Sequence, residues 1–203
     1  MDIGNIALAG GLAWASGIRL YVVLFLTGIA GHFGWIDLPA HLEVLASPLV
    51  LGTSGTLATA EFFADKIPGF DSLWDAVHTF IRIPAGALLA AASIGAIGDE
   101  NLALLIAAGL IGGTITAGSH FTKAGTRVAI NHSPEPFSNW MASLFEDLAA
   151  PGIVWLAVVA PALLLLVLLA ALLVALWLLP KLWRWISSIF RRMAGWTQAR
   201  ART

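Results

Sequence analysis

The chain has no cysteine in its 203 residues, so disulfides, thiolate metal sites and cysteine nucleophiles are all excluded. Charge is scarce as well. Asp, Glu, Lys and Arg make up 11% of the residues against 59% apolar ones, and the mean hydropathy is +0.85, whereas soluble domains carry about 25% charge. This composition makes the chain an integral membrane protein. A single Tyr stands against nine Trp, a bias that suits indole rings seated at a membrane interface. The signatures of soluble enzymes are missing too: there is no Gly-x-Ser-x-Gly elbow, no His-Glu-x-x-His helix, no phosphate-binding Gly-rich loop and no dinucleotide fingerprint. The chain is therefore not expected to be an enzyme, and intramembrane Asp or His chemistry ranks behind transport and scaffolding. With a net charge of -1, it is not expected to bind nucleic acid either.

The first thirty residues run apolar from Met1-Asp2-Ile3, without a basic leader or a cleavage pattern, and read as a retained membrane helix. Arg19 sits in its middle. A charge at that depth costs at least about 2.5 kcal/mol unless it is paired or hydrated, so Arg19 is expected to face the bundle interior and meet a carboxylate, Glu61 and Asp65 being the leading candidates. Further apolar segments occupy roughly 44–64, 83–98, 102–122 and 149–179, each near the length of about 20 residues that a span requires. The expected fold is all-α, a polytopic transmembrane bundle of five to six spans with short amphipathic or re-entrant helices. Five such spans would set the basic tail on the opposite side from Lys66, Arg82, Lys123 and Arg127, against the positive-inside tendency. A break near Ala160-Pro161 would give six, with both termini cytoplasmic and Asp37, Glu43, Asp99 and Glu100 outside. Six is the preferred count, five remaining open if the charged blocks are re-entrant.

Residues 1–180 read as one transmembrane domain and 181–203 as a basic tail. Six of the eleven basic residues (Lys181, Arg184, Arg191, Arg192, Arg200, Arg202) fall in that tail, where they alternate with Leu182, Trp185, Ile186, Ile189, Phe190, Met193 and Trp196. An interfacial amphipathic helix on an anionic leaflet is the expected form. Within the domain, Ser54 to Ala60 resembles Gly112 to Gly118. In both blocks a Trp stands twelve positions before a Gly (Trp74 to Gly86, Trp140 to Gly152), with a Pro just ahead of that Gly (Pro84, Pro151) and an insertion around 131–136 in the second. Repeat halves at about 44–98 and 102–179 are a candidate duplication, of the kind transporters use to build a site where helices are interrupted.

Two polar clusters carry the chemistry. Glu61 and Asp65 lie four apart on a helix that Pro68-Gly69 ends, so they share a face. Asp71, Asp75, His78 and Arg82 then recur at four, three and four, making one polar stripe. The second cluster holds Ser119, His120, Thr122, Lys123, Arg127, His132, Glu135, Glu146 and Asp147; because the last two are adjacent, only one is expected to face the first cluster. Three readings stay open. The charges can neutralise one another through Asp75–His78 and His78–Arg82 pairs. Glu61, Asp65, Asp75 and His78 can hold a divalent metal or, as the same set, relay protons. Lys66, Arg82, Lys123 and Arg127 can hold an anionic headgroup.

The segments Gly17-Ile18-Arg19-Leu20-Tyr21, Gly31-His32-Phe33-Gly34-Trp35 and Glu61-Phe62-Phe63-Ala64-Asp65-Lys66-Ile67-Pro68, with Asp71, Asp75 and His78 through Gly86, resemble the bacterial membrane family called domain of unknown function 4126. The resemblance covers nearly the whole chain apart from the tail and implies a polytopic membrane protein, without supplying an activity or site residues. Glu61, Asp65 and Lys66 are also loosely similar to the acidic Glu-x-Gly-Asp-Lys motif of duplicated manganese and calcium transporters, but the carboxylates are four apart here instead of three and the Gly is missing. The leading expectation is a small transporter or channel of the bacterial inner membrane, its tail cytoplasmic, passing a cation or protons through a centre lined by Arg19, Glu61, Asp65, Asp75, His78 and His120. The alternative is a non-transporting scaffold or a lipid-phosphate-binding or translocating protein. The only cofactor considered is a divalent metal ion; the partners expected are the lipid bilayer and, because one protomer offers few helices, a second copy.

Overall fold

Proline and glycine punctuate a chain that is helical over most of its described residues. The computed structural model describes residues 2–97, 101–132 and 137–200, with side chains through Ser188 and at Arg191. Among the described residues six α-helices follow one another: α1 (Ile3–His32), α2 (Pro48–Ala64), α3 (Phe70–Ser93), α4 (Leu102–Ile130), α5 (Phe137–Val159) and α6 (Pro161–Arg200), with a 3-10 segment at Ala40–Ala46 ahead of α2. Pro48 and Pro161 each open a helix, the position where a missing N–H costs nothing. Gly69 precedes α3 at φ +84°, a left-handed conformation that favours glycine. The Asp71 carboxylate accepts from the Gly69 and Ser72 N–H groups (2.9 and 2.6 Å), closing the first turn.

Five helices, α1, α3, α4, α5 and α6 through Ser188, are long and apolar enough to cross a membrane. Their contacts fix alternating directions. Thr116, Ser119 and Lys123 of α4 donate to the carbonyls of Ala13, Trp14 and Ile18, so α1 and α4 are parallel. Tyr21 meets His78 edge-on, while Ala90 and Ile94 share a groove with Ile6 and Gly10, so α3 runs against α1. Arg19 reaches Ser143 and Asp147 of α5, and Gly11 faces Ile153 and Ala157, again antiparallel. Finally, α6 tracks α4 from Leu104 beside Leu165 to Gly125 against Leu182.

The exception is α2. Gly28 lies against Leu45 and Leu51, Phe25 against Gly55, and Arg19 against Asp65, so α2 also runs against α1, in the same sense as α3. Two consecutive crossings cannot point the same way. From Leu51 to Asp65 the chain covers fourteen residues, about 21 Å of helix, yet it descends past only nine residues of α1, about 14 Å. α2 therefore lies obliquely on one half of the bundle and does not cross, which corrects the six-span expectation. The expected break does occur at Ala160, between α5 and α6. Together these two facts remove the charge conflict: the ends of α4 and α6 and the start of α3 share one end of the bundle, so Lys66, Arg82, Lys123 and Arg127 stand on the same side as the tail.

Helices also overrun the apolar segments that announced them. The polar stripe 71–82 and the span from 83 fuse into α3 across Pro84. The tail is not a separate surface helix but the continuation of α6 across Pro180; the 40 residues measure about 60 Å, roughly twice the hydrocarbon thickness. The expectations on the side chains of Ile189, Phe190, Arg192, Met193, Trp196 and Arg200, on Arg202, and on Asp99, Glu100 and Glu135 lie outside what is described. The two blocks 44–98 and 102–179 are packed differently. In the first both helices point one way, and Gly86 sits against Thr116. In the second the helices are antiparallel, with open space beside Gly152.

Candidate functional site

The first helix breaks where the charges gather. Arg19 adopts φ -145° and ψ 76° inside α1, and a helix interrupted there leaves carbonyls of the preceding turn without partners. The Lys123 ammonium donates to one of them, Ile18 O, at 3.0 Å. The approach of α4 is close: a Cβ on Gly17 would fall 1.9 Å from Ser119 Oγ and 2.5 Å from Thr116 O, so only glycine admits this contact.

Around the break, five elements contribute side chains that are removed from solvent. Arg19 pairs with Asp65 (3.3 Å) and Asp147 (2.5 Å). Lys123 bridges Asp65 (2.7 Å), Asp75 (3.3 Å) and Glu146 (3.5 Å). Arg82 spans Glu61 (2.6 Å) and Asp75 (2.7 Å). Arg127 holds Glu146 through two contacts (3.0 and 2.6 Å), reaches Asp71 at 3.7 Å, and donates to Asn139 and the Asp65 carbonyl. Arg19, Glu61, Asp65, Asp71, Asp75, Arg82, His120 and Arg127 are all 0% exposed. Lys66, a third exposed, joins Asp147 at 2.9 Å and carries the network to the surface.

The last turn of α2 and its capping residue hold two carboxylates, Glu61 and Asp65, in opposite electrostatic circumstances. Burial pushes the Glu61 carboxyl above its ordinary value, and Arg82 offsets this only in part. Burial acts on Asp65 too, but Lys123 and Arg19 together hold it below the usual carboxylate range. Groups whose environments drive them apart in this way are the pattern of an acid and a permanent anion within one site.

Several expectations need correction. His78 joins neither Asp75 nor Arg82; its ring stacks on Trp74 (4.1 Å between centroids), Nδ1 faces the Trp74 carbonyl, and Tyr21 closes the edge. Arg82 instead reaches Asp75 directly, two turns back. The metal set Glu61, Asp65, Asp75 and His78 is not assembled: among the described residues no three His, Asp or Glu side chains gather as an ion requires, because Arg and Lys stand between the carboxylates. Of the anion set, Arg82, Lys123 and Arg127 do come together, sharing Asp75 and Glu146 as partners, while Lys66 stands apart at the rim; all four cations are turned to carboxylates. Glu146 and Asp147 both enter the network, from opposite sides. Adjacent residues leave a helix about 100° apart, and cations wait in both directions. Residues missed in the sequence are Asn139, Ser143 and Thr79; the first two fall on the Glu146 and Asp147 face at helical spacing, a signal that was available.

His120 sits between this network and a lateral groove. Arg82 Nη1 lies 3.4 Å from its Nδ1, and Thr79 Oγ1 lies 2.7 Å from its Nε2. Thr79 donates its own hydrogen to the Asp75 carbonyl. Arg82 can only donate, so Nδ1 accepts and Nε2–H donates to Thr79, which is the neutral tautomer. The groove, about 740 Å³, runs between α3, α4 and α6, from Thr79 and His120 to Val128 and Ile186.

The model of the family described as domain of unknown function (DUF4126) matches residues 6–181. The chain belongs to this family. Every member of the ionic network and the whole α1 break fall inside that match, while most of the tail lies beyond it. No curated protein and no solved structure matches the chain.

Proposed function

We propose that this protein is a small proton-coupled transporter of the bacterial cytoplasmic membrane, with the ionic network as its titratable centre and the network's end of the bundle facing the cytoplasm. The observation that carries the reading is the break of α1 at Arg19, at the depth where α2, α3, α4 and α5 deliver charged side chains. Discontinuous helices at the level of a buried polar site are how transporters combine a substrate position with a hinge. The orientation rests on the shared side of the basic residues and the tail. Protons are preferred over a divalent metal because the carboxylates are already spaced by cations, and over an anionic headgroup because those cations are engaged. An enzymatic role is not part of the reading.

The near balance of charge favours one competing reading, a scaffold in which the ions only knit helices together. Reconstituted vesicles separate the two. Under the transport reading, an imposed pH gradient dissipates through the wild-type protein, and the Glu61→Gln, Asp65→Asn double variant, still folded by circular dichroism and still monodisperse, abolishes this. Dissipation unchanged in that variant, or absent from the wild type, overturns it.

A further inference from the structure

The ionic network is not electrically complete. Among the described residues its cations are Arg19, Lys66, Arg82, Lys123 and Arg127, and its carboxylates are Glu61, Asp65, Asp71, Asp75, Glu146 and Asp147. That leaves one negative charge in excess, and His120, held as the neutral tautomer by Arg82 and Thr79, does not cancel it. His78 makes no ion pair among the described residues. A buried site with an uncompensated anion takes up a proton in preference to holding the charge.

Partner counting says where. Asp65 has Lys123 and Arg19, Asp75 has Arg82 and Lys123, Glu146 has Arg127 and Lys123, and Asp147 has Arg19 and Lys66. Asp71 has Arg127, two backbone N–H groups and the Asn131 amide. Glu61 has Arg82 alone, on Oε1, and that guanidinium is shared with Asp75. Its other oxygen, Oε2, is buried without a hydrogen-bond partner among the described residues, as is one oxygen each of Asp65, Asp71 and Asp75, but Asp65 and Asp75 each have two cations and Asp71 adds three N–H donors to its one, which Glu61 lacks. The groups that face it are Arg19 and Tyr21 from α1, Asp65 capping its own helix, Arg82 from α3 and Lys123 from α4; each of the three cations is also paired with another carboxylate.

We infer that Glu61 is the group of this site that exchanges the proton, carried on Oε2 as a neutral carboxylic acid, while the better-partnered carboxylates keep their cations. This deepens the proton-coupled reading and rests on it for its role, though not for its chemistry. Loading forms one O–H bond at Oε2 with a proton delivered by water; unloading returns the proton to water and leaves a carboxylate that draws Arg82 more tightly.

Infrared spectroscopy of the full-length protein in lipid at neutral pH tests it. A protonated-carboxyl carbonyl band is expected that shifts in D2O, shifts again when glutamate but not aspartate carries a carbon-13 carboxyl, and is missing from Glu61→Gln. Asp147→Asn, which removes the excess negative charge, should make the same band titrate away at lower pH. Absence of the band in the wild type, its movement with labelled aspartate, or its survival in Glu61→Gln overturns the inference. The labelling needs no variant to fold. Gradient dissipation without the band overturns this assignment alone; the band without dissipation overturns the transport reading alone.

Discussion

The two halves of the bundle solve the same packing problem by opposite means. Toward the N-terminus of α1, the helices meet through small side chains: Gly112 against Ala90, Gly86 against Thr116, Gly11 against Leu164 and Ile153. An almost wholly apolar groove of about 400 Å³ lies beside them. Toward the other end, contacts between the same helices pass through Arg, Lys, Asp and Glu. Between lipid-soaked helices the apolar contacts draw on close approach alone. The ionic ones are conditional, each charge being tolerable only while its partners remain. One half thus holds by close approach alone, whereas in the other each contact depends on the charge of its partner.

The strongest break of this contrast is at Arg82. Replacing it with Ala leaves Glu61 and Asp75 facing each other without their shared cation, and the expected loss is about 3–5 kcal/mol, seen as a large drop in the thermal unfolding midpoint in detergent. Glu61→Gln in the Arg82→Ala background should change this little, because a protonated Glu61 already carries no charge there. In the apolar half, Gly86→Val puts a Cβ 1.9 Å from Thr116 Oγ1 and should cost about 1–3 kcal/mol by overpacking. That loss should not depend on pH, whereas a loss in the ionic half should.

How much of this was visible in the sequence follows the same division. Arg19 announced itself because a mid-span charge has few alternatives to an inward partner, and the stripe Asp71, Asp75, Arg82 did so because helical period alone sets it on one face. His78 shares that period but not that network; a Trp four residues earlier offered its ring a stacking surface, a choice that periodicity does not encode. The non-crossing path of α2 was hidden for a different reason. Its apolar length is nearly that of a span, and only the directions of α1 and α3 reveal that it cannot be one. The two-sided use of Glu146 and Asp147 was likewise out of reach until the cations flanking α5 had positions.

Acidity sharpens the comparison further. Glu61 is raised in the folded protein, so the folded state binds more protons than the unfolded one between the ordinary glutamate value and the raised value. Its contribution is present at low pH and is lost as pH rises through the raised value, with a slope of at most about 1.4 kcal/mol per pH unit for one proton. Asp65, lowered, acts the other way, contributing above its ordinary value and failing as pH falls through the lowered one. Unfolding midpoints measured across pH should therefore fall on the alkaline side in the wild type and flatten there in Glu61→Gln, while the acid limb stays.

The smallest effect belongs to the rim. The Lys66 ammonium, 32% exposed, contacts Asp147 at 2.9 Å, Ser143 Oγ at 3.2 Å and the Phe62 ring, and water competes for each of these. Lys66→Ala should cost about 0.2–1 kcal/mol, with the difference from wild type shrinking as salt rises. Asp147→Ala should cost more and respond less to salt, because it also strips a partner from Arg19, which has no exposure at all. The pair of variants thus brackets the boundary between solvent and site. Equal, salt-sensitive losses would place Arg19 in contact with water and erase the distinction between rim and interior on which the two-halved picture depends.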